Sequence, residues 1–409
     1  MHPSSIHHPL RAGALDWSAL AQFDRFLARR SADGDGWVIG AGGSTTLDRP
    51  ITGLPAVGHI GFHYPDGADH WHSRHPEAVG FAASAWWAPP IMLRIQDDGV
   101  TEWSTDAAAA ASAVSLRTGL FRAAPAVLPV HPGVWTPRTS RSSHIRQVER
   151  ILKHIQRGDI YEVNYCTART AVIKDWDVYA AFARLLAHTD APFAGFYRQG
   201  EHYALCMSPE RYLRVEGPVV TTQPMKGTRR RDPDPRIDAA LRSELEGDPK
   251  ERSENIMAVD VARNDLSRIA APASVEVPEC CVVRTYPTVH QLVSTVRAEL
   301  RADAEPWDAV RATFPMASMT GAPKLRALRI IDEMEEQQRG LFSGSLGYQL
   351  PDGTLDLNVV IRTITYDALS GIATLITGGA ITANSDPEKE WEECEVKARS
   401  VLNALGHAG

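Results

Sequence analysis

Glu251 and Glu254 stand three residues apart, and so do Glu390 and Glu393. On a helix that spacing puts both carboxylates of a pair on one face. Lys397 lies four residues beyond Glu393, one helical turn on. Such pairs can be solvated surface with an ion pair. Glutamates from two helices, with open positions left to water and a ligand carboxylate, also make a magnesium site. Lys397 would then hold a second anionic group. The segment "LITGGAITANS" brings Gly378-Gly379 just ahead of this region. Glycines let backbone N–H groups approach a ligand closely, and a helix start favours anions. The same pair could be a plain turn. Arg362, in "VVIRTI", is a charge inside an apolar run, and a buried arginine wants a carboxylate partner. Together these parts describe a pocket for a small polyanionic carboxylate with magnesium.

A second set of residues has acid–base or nucleophilic potential. Lys226 sits in "TTQPMKGTRRRDPDP", just ahead of Arg229, Arg230 and Arg231. It is either one cation among four on a solvated loop or a reactive amine. An unperturbed lysine is neutral about once in ~2500 molecules at pH 7. A nucleophilic Lys226 must therefore be desolvated or lie near other cations. Glu210, in "CMSPERYLRV", opens a strand, and His290 lies in "TYPTVHQLVSTV". Each could be an acid–base group or simply structural.

Alternating helices and strands must position these groups. Ile145, Val148, Leu152 and Ile155 give a helical stripe that Gly158 can close. "DIYEVNYCTARTAVI" has the β-branched and aromatic content of a strand. "YALCMSPERYLRVEGPVVTTQPMKG" reads as two strands joined at Glu216-Gly217. "DPKERSENIMAVDVARNDLSRIA" is a helix capped by Asp248 with Pro249 in its first turn, its apolar face formed by Ile256, Val259, Ala262 and Leu266. "SMTGAPKLRALRIIDEMEEQ" gives a further helix after a glycine turn. "GSLGYQLPDGTLDLNVVIRTITYDALSGIATLITGGA" reads as a meander turning at Asp352-Gly353 and Ser370-Gly371. The last helix opens on a capping box from Ser385 to Glu388, with Pro387 in its first turn. Strands and helices follow no strict βαβ order, so the class is α+β.

Bulk properties exclude several functions. The 409 residues carry a net charge of -7, without the basic excess of a general nucleic-acid binder. Five cysteines in no C-x-x-C spacing argue against a disulfide framework or structural zinc and fit a reducing compartment. The N-terminal stretch lacks an apolar signal segment, and no apolar run is long enough to span a bilayer. The expectation is a soluble, cytoplasmic protein. His59, His63, His70, His72 and His75 cluster on turn-rich sequence but match no metal-ligand spacing.

Nine segments together resemble the chorismate-utilising enzyme family. They are "SPERYLRV", "PMKGT", "DPKERSENIMAVDVARNDLSRIA", "VHQLVS", "SMTGAPK", "RGLFSGSLGY", "VVIRT", "TGGAIT" and "EWEECEVKA". They run in the family's order from about residue 145 to the C-terminus, roughly two thirds of the chain. The resemblance implies a fold of β-sheets packed together with helices outside. Residues 1–140 would be a divergent N-terminal part, similar to the family only at "GHIGFHYPDG", and residues 141–409 the chorismate-binding catalytic region.

It also implies roles. Glu254 and Glu393 match magnesium ligands, with Glu251 and Glu390 as outer partners. Arg362 and Lys397 match groups that bind substrate carboxylates, and Gly378 and Gly379 match the backbone turn lining that region. Glu210 matches the acid that helps the C4 hydroxyl leave, and His290 a histidine beside the ring. Thr228, Ser318, Met319 and Thr320 match pocket-lining positions. Members that add water at C2 have a lysine where this chain has Glu162, and many amino-adding members have glutamine there. Members making anthranilate resemble P-I-A-G-T at the segment that here reads Pro224-Met225-Lys226-Gly227-Thr228. Those making aminodeoxychorismate, the precursor of para-aminobenzoate, resemble P-I-K-G-T. The resemblance thus implies that Lys226 attacks C2, expels the C4 hydroxyl and is itself displaced by ammonia at C4. The alternative is anthranilate formation. The absence of a motif resembling L-L-E-S argues against tryptophan inhibition. No cysteine lies in a glutaminase-type elbow, so ammonia is expected from a separate glutamine amidotransferase subunit, with free ammonia as a substitute.

Overall fold

A computed structural model describes residues 2–6, 15–31, 36–67, 73–76, 79–122, 130–287 and 289–406. His70 and His72 lie outside the described residues.

Among the described residues the strands form two antiparallel sheets, of twelve and nine strands. The larger includes Arg25–Arg30, Trp37–Ala41, Glu162–Val172, Gly195–Gln199, His202–Cys206, Thr363–Asp367 and Ile372–Thr382. The smaller includes Ala56–Ile60, Arg211–Glu216, Met225–Arg230, Val289–Glu299, Ser345–Gln349 and Leu355–Asn358. The two sheets pack face to face. Leu27, Val38, Tyr197 and Cys206 of one meet Val57, Trp87, Leu346 and Tyr348 of the other in one buried cluster. Arg29 and Asp356 add an ion pair between the sheets at 2.5 Å, with both side chains buried.

Helices cover the outer faces. Ala107–Leu120, Val178–Thr189 and Pro387–Ala404 send Leu116, Phe182, Leu185, Val401 and Leu402 into the cluster that holds Phe26, Leu93, Phe196 and Leu375 of the larger sheet. Pro249–Ser267 and Pro306–Thr313 bring Val259, Leu266 and Val310 against Leu213, Val220 and Val296 of the smaller one. Burying such a side chain contributes about 1.5–3 kcal/mol. This is the α+β arrangement expected, sheets inside and helices outside. Strands from the first 140 residues belong to both sheets: Arg25–Arg30 pairs with Gly195–Gln199, and Ala56–Ile60 with Ser345–Gln349. No helix among the described residues is long and apolar enough to cross a membrane.

Several local expectations need correction. The meander is split. Ser345–Gln349 and Leu355–Asn358 lie in the smaller sheet, and Thr363–Asp367 and Ile372–Thr382 in the larger. Arg362 is therefore not on a strand. It sits where the chain crosses between sheets, with a φ of 51° that few side-chain-bearing residues adopt. Gly378 and Gly379 form no turn: they lie within Ile372–Thr382, opposite Cys166 and Tyr165. The last helix is capped by Asp386, which accepts from the backbone N–H groups of Glu388 and Lys389, and not by Ser385. The segment read as two strands after Tyr203 is four, although it does turn after Glu216. Asp248 caps Pro249–Ser267 as expected, but Ile256 is exposed while Glu254, Asn255 and Asp265 are buried. That helix turns polar groups inward.

Candidate functional site

Lys226 lies on the strand Met225–Arg230, whose register against Val289–Glu299 shifts between Lys226 and Thr228. Gly227 occupies the shift with a φ of 73°. A side chain there would press on Leu245 and Glu251. The Lys226 side chain is only 9% exposed, and its Nζ donates to Glu162 Oε1 at 2.7 Å. Glu162, at the start of Glu162–Val172, is itself buried. Burial pulls the amine's pKa down, but the charges of Glu162, Glu254 and Glu210 and the bond to Glu162 outweigh it, so it ends above the usual lysine range. Desolvation is thus met and a lowered pKa is not. The arginines do not assist. Arg229 pairs with Glu244 at 2.9 Å and Asp248 at 2.8 Å, and Arg231 with Asp238 at 2.8 Å.

Glu210 is buried at the start of the Arg211–Glu216 strand. Its carboxylate takes hydrogen bonds from the Ser318 side chain and the Met225 backbone, which ties it to the strand of Lys226. Burial raises its pKa to about 7, against the opposing pull of Ser318, Lys226, Met225 and Arg362. Arg362 is the nearby cation without a fixed partner: no hydrogen bond or salt bridge of its guanidinium occurs among the described residues. Burial lowers its pKa, and Glu210 opposes that. An arginine in that state suits a ligand carboxylate.

Carboxylates from two helices form the second half. Glu254 comes from Pro249–Ser267 and Glu390 from Pro387–Ala404, and both are buried. Glu254 Oε1 and Glu390 Oε2 have no hydrogen-bond partner. Burial lifts the Glu254 pKa to about 7 and also raises that of Glu390, which Ser385 hydrogen-bonds. Lys250 Nζ lies 3.7 Å from an oxygen of each. Glu393 is half-exposed and pairs with Lys397 at 2.7 Å, and Lys397 also donates to Gly378 O at 2.7 Å. Burial pushes the Glu393 pKa up, but Lys397 and Lys250 bring it below the usual value. A Cβ on Gly379 would stand 3.1 Å from Glu390 Oε2 and 3.5 Å from Glu393 Oε1, so the glycine keeps the space before these carboxylates clear.

These residues suit a hard divalent cation. Orphaned buried carboxylate oxygens need a cationic partner, and Mg²⁺ takes one or two carboxylates plus water and ligand oxygens. Among the described residues no group of three or more such ligand side chains comes together. The orphaned oxygens belong to Glu254 and Glu390. Glu390, expected as an outer partner, is the buried one, while Glu393, expected as a ligand, is engaged by Lys397.

Other expected residues divide. Ser318 joins the site through Glu210. Thr320 is buried and donates to Met316 O within its own turn at 3.2 Å, and Met319 packs in the core. Thr228 Oγ accepts from Gln291 Nε2 at 3.5 Å. His290 is not brought to Lys226, Glu210 or Arg362. Its Nδ1 meets Thr285 Oγ at 2.9 Å and its Nε2 meets Asp238 at 3.0 Å. Both of its ring nitrogens are thereby engaged away from those three residues. Gln291, missed in the sequence, pairs in register with Thr228 and keeps a buried Oε1 without a partner. Lys250 was missed as well.

His59 is buried between Tyr197 OH and Ala82 O, both at 2.8 Å, and His75 meets Asp332 O. Burial drops His59 and His63 to about 4. A cleft of about 530 Å³ lined by Tyr161, Met257, Asn264 and Leu325 reaches neither Lys226 nor Glu254, and the ion pair on its wall, Lys324 with Asp265, is already closed at 2.5 Å.

Residues 20–403 match the family model described as chorismate binding enzyme. The chain is 41% identical to "Aminodeoxychorismate synthase component 1" of Klebsiella aerogenes over 66% of its own length and 59% of that protein's. It is 38% identical to "Anthranilate synthase component 1" of Haloferax volcanii over 65% and 51% of the two lengths. The chain thus matches little more than half the length of these relatives. Among solved structures, anthranilate synthase component I from Streptococcus pneumoniae matches with a TM-score of 0.74 at 23% identity, over 98% of this chain and 92% of that one. This last likeness concerns the fold.

Proposed function

The chain belongs to the chorismate binding enzyme family, and from that premise we propose that it makes aminodeoxychorismate from chorismate and ammonia through a covalent bond to Lys226. The observation that carries this reading is the buried pair Lys226–Glu162 at 2.7 Å with Glu210 held beside it by Met225 and Ser318. Burial takes the Lys226 amine out of water, as a nucleophilic lysine requires. The similarity to the Klebsiella aminodeoxychorismate synthase component points the same way.

The chain's residues divide the work. Glu162 takes the proton of the Lys226 ammonium, which frees the amine's electron pair. That amine forms a bond to C2 of chorismate, both ring double bonds shift (C1=C2 to C1=C6, C5=C6 to C4=C5), and the C4–O bond breaks. Glu210, protonated below about 7, gives its proton to the departing hydroxyl, which leaves as water. Ammonia then bonds at C4, both double bonds shift back, and the Lys226 amine leaves from C2. Arg362 and Lys397 hold substrate carboxylates, and Thr228 and Gln291 border the ring. Glu254 and Glu390, with Glu393 beside them, would hold Mg²⁺, which when bound supplies positive charge for a ring carboxylate. The ammonia comes from a separate glutamine amidotransferase subunit, and free ammonium salts substitute for it. All five cysteines are free, as suits a cytoplasmic enzyme.

Intact-protein mass spectrometry with chorismate and Mg²⁺ but no ammonia tests the reading. The wild-type protein should gain a covalent adduct mapping to Lys226, and Lys226→Ala should gain none and lose turnover by on the order of 10³ or more. Fluorescent anthranilate formed with ammonium would instead establish the reaction named for the Haloferax relative. An active Lys226→Ala would overturn covalent catalysis.

A further inference from the structure

Lys250 is the second residue of the helix Pro249–Ser267. A cation in a first turn opposes the helix dipole, which favours carboxylates there. Its placement therefore needs another cause, and the neighbouring charges supply one. The ammonium stands 3.7 Å from Glu254 Oε1 on its own helix and 3.7 Å from Glu390 Oε1 on the helix Pro387–Ala404. Both distances exceed hydrogen-bond length, so it balances charge without satisfying the donor needs of either group. Glu254 Oε1 and Glu390 Oε2 stay unpartnered although they are 93% and 97% buried by residue. Buried carboxylates facing each other without a counter-ion are strongly disfavoured. The Lys250 side chain is 46% exposed, so its head can move into water while its methylenes stay on the protein surface.

We propose that Lys250 is a tethered counter-ion of the carboxylate site: it neutralises Glu254 and Glu390 while no metal is bound, and a divalent cation displaces it toward solvent. This rests on the reading of Glu254 and Glu390 as a divalent-cation site. The ammonium and the cation draw on the same two carboxylates and repel each other, so Lys250 sets the metal affinity. It also clamps two helices that would otherwise meet through like charges. The predicted sign is unusual, since removing a residue from the site should tighten binding.

The test titrates the full-length chain with Mn²⁺, a carboxylate-binding surrogate of Mg²⁺, and reads free Mn²⁺ by electron paramagnetic resonance. Lys250→Met should bind at least about fivefold more tightly than wild type, because a competing charge is gone. Lys250→Gln is a second neutral variant and should behave alike, while Lys250→Arg should stay near wild type. In chelator the neutral variants should melt below wild type, and Mn²⁺ should restore them by mass action. Wild type that binds Mn²⁺, with neutral variants binding equally or more weakly, overturns the counter-ion role and leaves the metal site standing. Wild type that binds no Mn²⁺ overturns both.

Discussion

Lys226 and Lys250 both face glutamates, and their environments could hardly differ more. Lys226 stands on a strand, is 9% exposed, and donates a 2.7 Å hydrogen bond to one carboxylate. Lys250 stands on a helix, is 46% exposed, and lies 3.7 Å from two carboxylates without bonding either. Burial removes water from the first pair, so each charge there acts strongly on its neighbours. The second lysine is free to leave. A fixed, dry amine suits chemistry, and a loose, half-wet one suits exchange with another cation. The arginines between them in sequence serve neither purpose. Arg229 bonds Glu244 and Asp248, and Arg231 bonds Asp238, so they lock the Pro235–Gly247 helix and its neighbour to the strand.

The contrast breaks first at Glu210. If the buried half is the chemical half, Glu210→Gln should lower kcat by about 10²–10⁴-fold, because the amide cannot supply a proton. The variant should also lose the fall in rate above about pH 7 that the raised Glu210 pKa gives the wild type. The direction follows from the shift: a carboxyl raised to about 7 is protonated below that pH and loses its proton above it. Adduct formation and turnover across pH check both statements. Near-wild-type turnover with an unchanged alkaline fall would move the chemistry elsewhere.

Glu162→Gln sharpens the same side with a smaller effect. The amide still accepts a hydrogen bond from Lys226 but carries no charge. Burial then acts on the amine with less opposition, so the Lys226 pKa falls. The pH at which adduct formation rises should move down, and the rate should drop by about tenfold or more where Glu162 served as base. Rapid-quench mass spectrometry across pH separates this rising limb from the falling one set by Glu210. An unmoved rising limb would mean that Glu162 does not govern the proton on Lys226.

Legibility in the sequence followed the same division. Element types, the Asp248 cap and the two glutamate pairs could be read because period and capping are local properties. What required the fold was long-range. Arg362 looked like a strand residue because its neighbours are apolar, yet those neighbours are buried at the crossing between two sheets. Ile256 fitted an apolar stripe, but the helix faces inward with Glu254 and Asn255, since the site needs polar groups there more than the core needs one isoleucine. His290 drew attention as a histidine, while the strand register sets Gln291 opposite Thr228. Lys250 carried a local signal, a cation in a first turn, whose meaning depended on Glu390, 140 residues away.

The smallest effect tests whether fold and site can be separated on adjacent residues. Asp386 caps the helix that carries Glu390, and Ser385 hydrogen-bonds Glu390 itself. Asp386→Ala removes an acceptor for two backbone N–H groups and should cost about 1 kcal/mol of stability. Metal binding should change little, because Glu390 keeps its hydroxyl partner. Ser385→Ala leaves that cap intact and strips the hydroxyl from a buried carboxylate, so its larger effect should be on Mn²⁺ affinity. Denaturant unfolding and metal titration on both variants give the four numbers needed. Equal losses in both measurements would show that helix position and carboxylate orientation are one property here, because Glu390 can be aimed only as well as its helix is anchored.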